Sequence, residues 1–313
     1  MKILDLSYSK FLSRTPNLHS PSLEKLILEG CSSLVEVHES IGRSKGLVFL
    51  NLKGCCRLKN LPASICELKL LETLDITMCS QLEKLPEHIG NMEYLRELLA
   101  DETSIKQLPC SIFDLKRLEK LSLCGLNYDK QDSPSRPWHE EFSSWFSPRN
   151  ENSKTLLPDS FGCLTSLTEL HVSYPGLSEG SISVGVEGLS ALRNLDLSGN
   201  KFLYLPSGIG RIPKLEKLFV VNCTNLQSIS ELPSSLLLLD ATNCTSLEGL
   251  AVPSNKCALK LRGCQKLIEI HDIEGGSDCT SFVHLEDCNN LSNNFKRSLV
   301  QVIFASLLHT HCN

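Results

Sequence analysis

The sequence predicts an α/β solenoid, in which one short supersecondary unit repeats along an elongated array. The first observation is a period of 24 residues, since the pattern Leu47, Leu50, Leu52 and Cys55 starts again at Leu71. The second is the alternation of Leu50 and Leu52 with other residues, which is typical of a half-buried strand. The third is the Leu-Pro pair that follows, because proline cannot donate to a central strand. Such a unit cannot bury its leucines alone, so neighbouring units must stack.

Twelve units can be marked by their first hydrophobic position or its equivalent. These positions are residues 1, 23, 47, 71, 95, 118, 167, 192, 215, 236, 256 and 280. The pattern within a unit, L-x-x-L-x-L-x-x-N/C-x-L, is that of a leucine-rich repeat. We therefore expect a horseshoe with about twelve parallel concave strands and an irregular or short-helical convex side. The units at 215 and 236 shorten to 21 and 20 residues, so the convex segment should be lost there.

The solenoid is assigned to residues 1–292. The first unit begins at Met1 with no polar cap before its strand, which favours a chain that starts inside a larger protein over a frayed first repeat. An amphipathic helix that caps the last repeat is predicted within 293–313 by the spacing of Phe295, Leu299, Val302, Ile303 and Leu307.

Cysteine is used as a repeat residue. Seven of the 15 cysteines fall at one position after the strand: Cys31, Cys55, Cys79, Cys223, Cys244, Cys264 and Cys288. A side chain there can turn inward and bond backbone groups of the neighbouring turn. The other cysteines form no C-x-x-C pair, so neither zinc nor redox chemistry is indicated. With no signal peptide, we expect reduced thiols and a cytoplasmic, possibly nuclear, protein.

Residues 127–155 interrupt the array as an insertion. The segment is rich in Asp, Ser, Pro, Arg and Asn, yet it holds Trp138, Trp145 and Phe146. Two interpretations stay open. The segment is either flexible or docked on its own solenoid, or it forms a short amphipathic turn whose three aromatic residues contact a partner.

Charge and motifs exclude several functions. The net charge of -5 does not suit a nucleic acid or an anionic membrane as partner. There is no phosphate-binding loop, nucleophile elbow or zinc-protease motif, so we expect no enzyme, no cofactor and no metal. A hydrolase remains a remote alternative, because Ser122, His171 and Asp196 lie at middle positions of strands six, seven and eight. However, an open sheet offers no oxyanion donors and no pocket that excludes water.

The concave side is the candidate binding surface. Three positions per strand point away from the core, and several carry apolar or aromatic residues within a polar rim, which is how protein interfaces concentrate binding energy. The candidate protein-binding residues are Lys25, Ile27, Glu29, Phe49, Asn51, Lys53, Asp75, Leu99, Asp101, His171, Asp196, Phe219, Val221, Asp240, Lys260 and Arg262.

The repeats also resemble those of a known family. The stretches Leu-Glu-Gly-Cys-Ser-Ser-Leu (28–34), Asn-Leu-Lys-Gly-Cys-Cys-Arg-Leu-Lys-Asn-Leu-Pro (51–62), Glu-Leu-Pro-Ser-Ser-Leu (231–236) and Asn-Cys-Thr-Ser-Leu (243–247) resemble repeats of plant TIR-NB-LRR disease-resistance proteins. The resemblance spans almost the whole chain and implies the repeat region of an intracellular immune receptor.

In that family the repeat region recognises a pathogen effector and restrains the nucleotide-binding switch. The implied partners are therefore an effector, a guarded host protein or the receptor's own nucleotide-binding domain. The TIR and NB parts are not in this sequence, so neither activity is carried over. The alternative is a freestanding intracellular scaffold similar to plant Ras-group leucine-rich repeat proteins, against which the uncapped strand at Met1 counts.

Overall fold

The chain forms a parallel β-solenoid built from short strands. The computed structural model describes residues 2–18, 20–105, 107–125, 161–173, 186–252, 257–271 and 283–297. In chain order the strands are β1 (Ile3–Asp5), β2 (Lys25–Ile27), β3 (Phe49–Asn51), β4 (Thr73–Asp75), β5 (Glu97–Leu99), β6 (Lys120–Ser122), β7 (Glu169–His171), β8 (Asn194–Asp196), β9 (Lys217–Phe219), β10 (Ser228–Ile229), β11 (Leu238–Asp240), β12 (Gly249–Ala251), β13 (Ala258–Lys260), β14 (Glu269–His271) and β15 (Val283–His284).

Twelve of these strands make one sheet, in the order β1 to β9 followed by β11, β13 and β15. The prediction of twelve parallel strands is confirmed, with each strand two or three residues after its predicted starting position. The register aligns equivalent residues, so that Leu26, Leu50 and Leu74 lie side by side. All three are buried. The strand leucines therefore form one continuous row of the core, as the alternation predicts.

Short 3-10 helices cover the opposite side of most units. They span Glu39–Arg43, Ala63–Glu67, Ile89–Asn91, Cys110–Asp114, Phe161–Cys163, Val186–Gly188 and Ile209–Arg211. Pro62 and Pro109 lie directly before two of these helices, in extended backbone. The N–H that proline lacks is not needed for a helical hydrogen bond at this position, so the Leu-Pro pair fits the start of the helix. Ile41, Ile65 and Ile89 of these helices are buried. The short-helical convex side is confirmed.

The shortened units differ from the prediction. Instead of a lost convex segment, β10, β12 and β14 form a second parallel sheet of three strands. Its register aligns Ile229, Leu250 and Ile270, which are all buried. In the units at 215 and 236 too few residues remain for a helical turn, so the chain stays extended, and β14 of the 24-residue unit at 256 continues the same pairing. The backbone N–H and C=O groups then pair with those of the neighbouring unit, while Ile229, Leu250 and Ile270 stay buried.

The cysteine position forms a ladder, as predicted. Each of the seven cysteines donates its thiol to a carbonyl of the preceding unit, at 3.0 to 3.3 Å: Cys31 to Leu6, Cys55 to Leu28, Cys79 to Leu52, Cys223 to Leu197, Cys244 to Val220, Cys264 to Ala241 and Cys288 to Leu261. Asn200 takes the same position and donates to Val172 O and Leu197 O, both at 2.8 Å. The 13 described cysteines, from Cys31 to Cys288, are free thiols.

The described chain ends in a short helical stretch within the range where the capping helix is predicted. Residues 293–297 are helical, and Phe295 is buried against the last repeat. Ser292 caps the helix, because its Oγ accepts a hydrogen bond from Phe295 N at 3.2 Å. The rest of the predicted helix lies outside the described residues.

Candidate protein-binding face

The outward side of the large sheet presents three side chains per strand. In β2 these are the first and third strand residues, Lys25 and Ile27, and Glu29 two positions further on. The residue between the first two, Leu26, is buried in the core. We call the surface formed by these three positions in every strand the open face. It corresponds to the predicted concave side and holds all sixteen candidate binding residues.

Apolar side chains lie on the open face at two places. Near the first strands, Ile27 and Phe49 are half-buried on neighbouring strands, and Lys25 Nζ lies 6.0 Å from the centroid of the Phe49 ring. Near β9, Phe219, Val221 and Leu238 are half-buried together. Leu99 lies between these two groups on β5. The structure therefore brings the predicted aromatic anchors into two separate groups rather than one.

Several candidate polar residues also end their strands. The side-chain Oδ1 of Asn51 accepts a hydrogen bond from Lys53 N at 2.8 Å, and Oδ1 of Asp240 accepts one from Thr242 N at 3.2 Å. Asp75 and Asp196 accept equivalent bonds from the backbone two residues on, both at 2.9 Å. Asn51 and Asp240 are only 8% and 9% exposed. These positions are therefore not free to vary as the alternation alone suggests.

The middle of the open face is rich in carboxylates. Glu97 and Asp101 come from β5 and its end, Glu169 from β7 and Asp196 from β8. Lys120 Nζ contacts Glu169 Oε2 at 2.9 Å, and this hydrogen bond lowers the pKa of Glu169 and raises that of Lys120. One lysine thus offsets one of the four carboxylates, and this part of the face carries a negative charge.

The basic candidate residues lie toward the two ends of the sheet. Lys25 and Lys53 come from β2 and the end of β3, whereas Lys260 and Arg262 come from β13 and its end. Lys260 Nζ lies 3.4 Å from Asp240 Oδ2, and Arg262 Nε lies 3.5 Å from Glu286 Oε2. The side chains of Lys260 and Arg262 are exposed, so the cations stay accessible, although Asp240 itself is buried.

The structure does not assemble the hydrolase alternative. The register does place Ser122, His171 and Asp196 side by side on β6, β7 and β8, as predicted. However, Ser122 Oγ donates to Asp101 Oδ1 at 2.6 Å, and Ser122 is only 4% exposed. His171 Nδ1 lies 4.0 Å from Asp196 Oδ2, which is beyond hydrogen-bond distance. Asp101, which the sequence analysis named only as a candidate binding residue, accepts the hydrogen bond of the hydroxyl that a nucleophile would need.

Other predicted features fall outside this surface. The insertion at 127–155, with Trp138, Trp145 and Phe146, lies outside the described residues, so its contacts stay predictions. Within the described ranges, no group of three or more His, Cys, Asp or Glu residues is arranged to hold a metal ion. In the same part of the chain, no helix combines the length and apolar character needed to cross a membrane.

Comparison with known proteins gives both sequence relatives and structural neighbours. Residues 9–136 match the model of a leucine-rich repeat region. The disease resistance-like protein DSC1 of Arabidopsis thaliana is 36% identical over 163 residues, which cover 52% of this chain and 11% of DSC1. The TMV resistance protein N of Nicotiana glutinosa is 33% identical over 288 residues, which cover 75% of this chain and 25% of that protein.

Two solved structures share the fold at low sequence identity. The functional domain of InlJ from Listeria monocytogenes, which includes a cysteine ladder, has a TM-score of 0.51 at 16% identity, covering 87% of this chain and 59% of the solved domain. The TLR13 chain of a TLR13–ssRNA13 complex has a TM-score of 0.51 at 18% identity, covering 93% and 49%. Identities this low show the fold alone.

The stacked strands, the ladder and these comparisons define the chain first as a leucine-rich repeat protein. More particularly, it is a repeat region related to plant disease resistance proteins of the TIR-NB-LRR class, and the resemblance found in its sequence is confirmed. The chain spans only between about a tenth and a quarter of the length of DSC1 and N.

Proposed function

We propose that this chain is the protein-recognition region of an intracellular plant immune receptor, and that the open face is its binding surface. The partner is a pathogen effector, a guarded host protein or the receptor's own nucleotide-binding domain. The relatedness to DSC1 and N supports the setting. The observation that carries the surface is the half-buried Phe49 and Phe219 within a polar surround. A cytoplasmic or nuclear location belongs to the same proposal.

The rigid register of the sheet favours binding by a fixed surface. Adjacent strands hold their open-face side chains about 4.8 Å apart, and the ladder and the leucine core leave the backbone little freedom. A preorganised surface loses less conformational entropy when a partner docks. Recognition of this kind needs no catalytic group, and the hydroxyl of Ser122 is already engaged by Asp101. We therefore propose a binding role without catalysis.

Binding would act on a switch that lies elsewhere in the receptor. A ligand shifts a two-state equilibrium only by the difference between its affinities for the two states. Moving a population from 1:99 to 99:1 requires a difference of about 5.5 kcal/mol. In this proposal the open face restrains the nucleotide-binding domain in the resting receptor, and an effector or an effector-modified host protein competes for the same surface.

Truncation of the two aromatic residues tests the binding surface. In the receptor that carries this chain, Phe49→Ala and Phe219→Ala should each weaken binding of the cognate protein by about 1 kcal/mol or more, because each removes an aromatic anchor. This is about five-fold in Kd. The affinity is measured by titration calorimetry with an effector or nucleotide-binding domain that binds the wild-type receptor.

Phe11→Ala is the matched control. Phe11 lies in the loop after β1 and is 99% exposed, so its loss removes a comparable aromatic surface away from the open face. We expect unchanged affinity for this variant. Unchanged affinity for Phe49→Ala and Phe219→Ala, with circular dichroism showing an intact fold, would contradict the assignment of the open face.

A further inference from the structure

The two phenylalanines of the open face differ in their neighbours. Phe49 has a cation from its own chain, since Lys25 Nζ lies 6.0 Å from its ring centroid. Phe219 has instead a carboxylate on each side, because the register pairs it with Asp196 of β8 and Asp240 of β11. Among the described residues, Lys25 lies over the ring of Phe49 and Arg117 over that of Tyr94. None of these contacts involves the ring of Phe219.

Both aspartates are held in place through one carboxylate oxygen. Asp196 Oδ1 accepts from Ser198 N at 2.9 Å, and Asp240 Oδ1 accepts from Thr242 N at 3.2 Å and from its hydroxyl at 2.7 Å. The second oxygens have longer contacts. Asp196 Oδ2 lies 4.0 Å from His171 Nδ1, and Asp240 Oδ2 lies 3.4 Å from Lys260 Nζ. Asp240 is only 9% exposed and its second oxygen faces Lys260, so Asp196 is the carboxylate of the two that can still accept a donor from a ligand.

Apolar atoms complete the surroundings of the ring. Val221 follows on the same strand, and Leu238 lies on the neighbouring strand, both half-buried. Lys217 precedes the ring by two residues but pairs in register with Asn194 and Leu238, outside the row of the two aspartates. An incoming side chain therefore meets an aromatic face, apolar contacts for its stem and the carboxylate of Asp196 beside the ring.

This combination fits arginine. Asp196 lies on the strand next to Phe219, about 4.8 Å away. A guanidinium is planar, stacks on an aromatic face and carries five donors in a rigid fork, so it can cover the ring and donate to Asp196 at the same time. An ammonium group is a point charge without a planar face to stack on the ring. The cation–π contact adds to the attraction.

We propose that Phe219 and Asp196 form a subsite for an arginine side chain of the protein ligand. The inference rests on the proposed binding role of the open face and names the chemistry of one contact. A ligand that presents an exposed arginine next to apolar residues matches the subsite. The adjoining strands β5 to β8 carry a negative charge, which attracts basic surfaces and favours the same kind of ligand.

The test is an NMR titration of the purified chain with N-acetyl-arginine amide, following the methyl signals of Val221 and Leu238. Saturable shifts of these methyls are expected. N-acetyl-citrulline amide has nearly the same shape without the charge, and should bind at least five-fold more weakly.

Asp196→Asn should also weaken binding of the arginine probe by at least five-fold. Asparagine keeps the Oδ1 acceptor, as Asn51 shows by accepting from Lys53 N, so the turn is preserved. Phe219→Leu should weaken binding similarly, because it keeps apolar area and removes the ring.

Matched controls exist at equivalent positions. Asp75→Asn changes an aspartate with the same backbone bond, and Phe49→Leu changes the other open-face ring. Neither should alter the affinity for the arginine probe. Absence of saturable shifts, equal binding of citrulline, or an equal loss in Asp75→Asn and Asp196→Asn would overturn the subsite. If Phe219→Ala weakens a protein ligand while the arginine probe fails to bind, the subsite is wrong and the proposed function stands.

Discussion

The residue directly before the ladder position carries a backbone constraint. Its φ is positive in ten of the described units, between 56° and 74°: Tyr8, Gly30, Gly54, Met78, Glu102, Gly199, Asn222, Asn243, Gly263 and Asp287. Glycine adopts this left-handed conformation freely, whereas most other residues lose roughly 1–2 kcal/mol there. The turn is needed because the next side chain must point inward to the ladder. The repeat therefore keeps the conformation even where the residue does not favour it.

Met78→Gly should raise the free energy of unfolding by about 1 kcal/mol, because it removes the strain at a φ of 61°. Gly54→Ala should lower it by a similar amount. A Cβ added at Gly54 would have its nearest contacts, Gly30 Cα and N, at an ordinary 3.5 Å, so the backbone alone is responsible. Urea unfolding midpoints measure both changes. A destabilised Met78→Gly would show that contacts of the methionine side chain outweigh its strain.

Sequence alone located the open-face residues but missed part of what they do. Alternation marks Asn51, Asp75, Asp196 and Asp240 as outward-pointing, and the structure agrees on the side of the sheet. Alternation carries no information about local hydrogen bonds, so it could not show that each side chain also accepts from a backbone N–H two residues on. An Asp or Asn two residues before a Ser, Thr or Lys is a signal that could have indicated this turn.

At the scale of elements, predictability follows the strength of the repeat. The strands of the large sheet recur with buried leucines at fixed spacing, so all twelve were placed from sequence. The strands of the second sheet, β10, β12 and β14, are as short as those of the large sheet, and they were missed because the repeat pattern that marks each unit does not extend to them. A segment this short shows no periodicity of its own. Its pairing arises only after neighbouring units have stacked, which is a tertiary effect.

The 3-10 helices stack so closely that glycine is required between two of them. A Cβ at Gly42 would lie 2.6 Å from Ser64 O and 2.8 Å from Ser64 Cβ in the next helix, so Gly42→Ala should destabilise the chain by about 1–3 kcal/mol. Gly249→Ala is the control, because no atom lies within 4 Å of an added Cβ. Its change should stay within about 0.5 kcal/mol. Equal urea midpoints for the two variants would show that the helices can separate without loss.

At the scale of the whole molecule, the ladder falls into two runs of cysteines. Cys31, Cys55 and Cys79 form the first, and the second begins at Cys223, after Asn200. Thr103 ends the first run, because its Oγ1 donates to Ala100 O of its own unit at 2.8 Å rather than to the preceding unit. In a solenoid each unit contacts mainly its neighbours, so stability is a sum of local terms. The two runs should therefore open independently.

Thiol labelling of Cys79→Ala tests this independence. The substitution removes the bond to Leu52 O and leaves a small cavity, which should cost about 1–2 kcal/mol locally. Burial raises the pKa of Cys55 to about 12, so at neutral pH this thiol reacts only when its unit opens. We expect N-ethylmaleimide to label Cys55 roughly five- to thirty-fold faster in the variant, while the labelling rate of Cys244 stays unchanged.

Mass spectrometry of peptides at successive times follows every thiol in one experiment. Cys110 and Cys163 are exposed and should react at once in both proteins, which controls for reagent activity. An equal acceleration at Cys55 and Cys244 would mean that the described array opens as a single cooperative unit. Acceleration confined to the first run would mean that strain introduced near the first strands is not transmitted to β9. A partner bound at Phe219 would then leave the stability of the first repeats unchanged, and its effect on a distant switch would have to come from contacts of the partner itself.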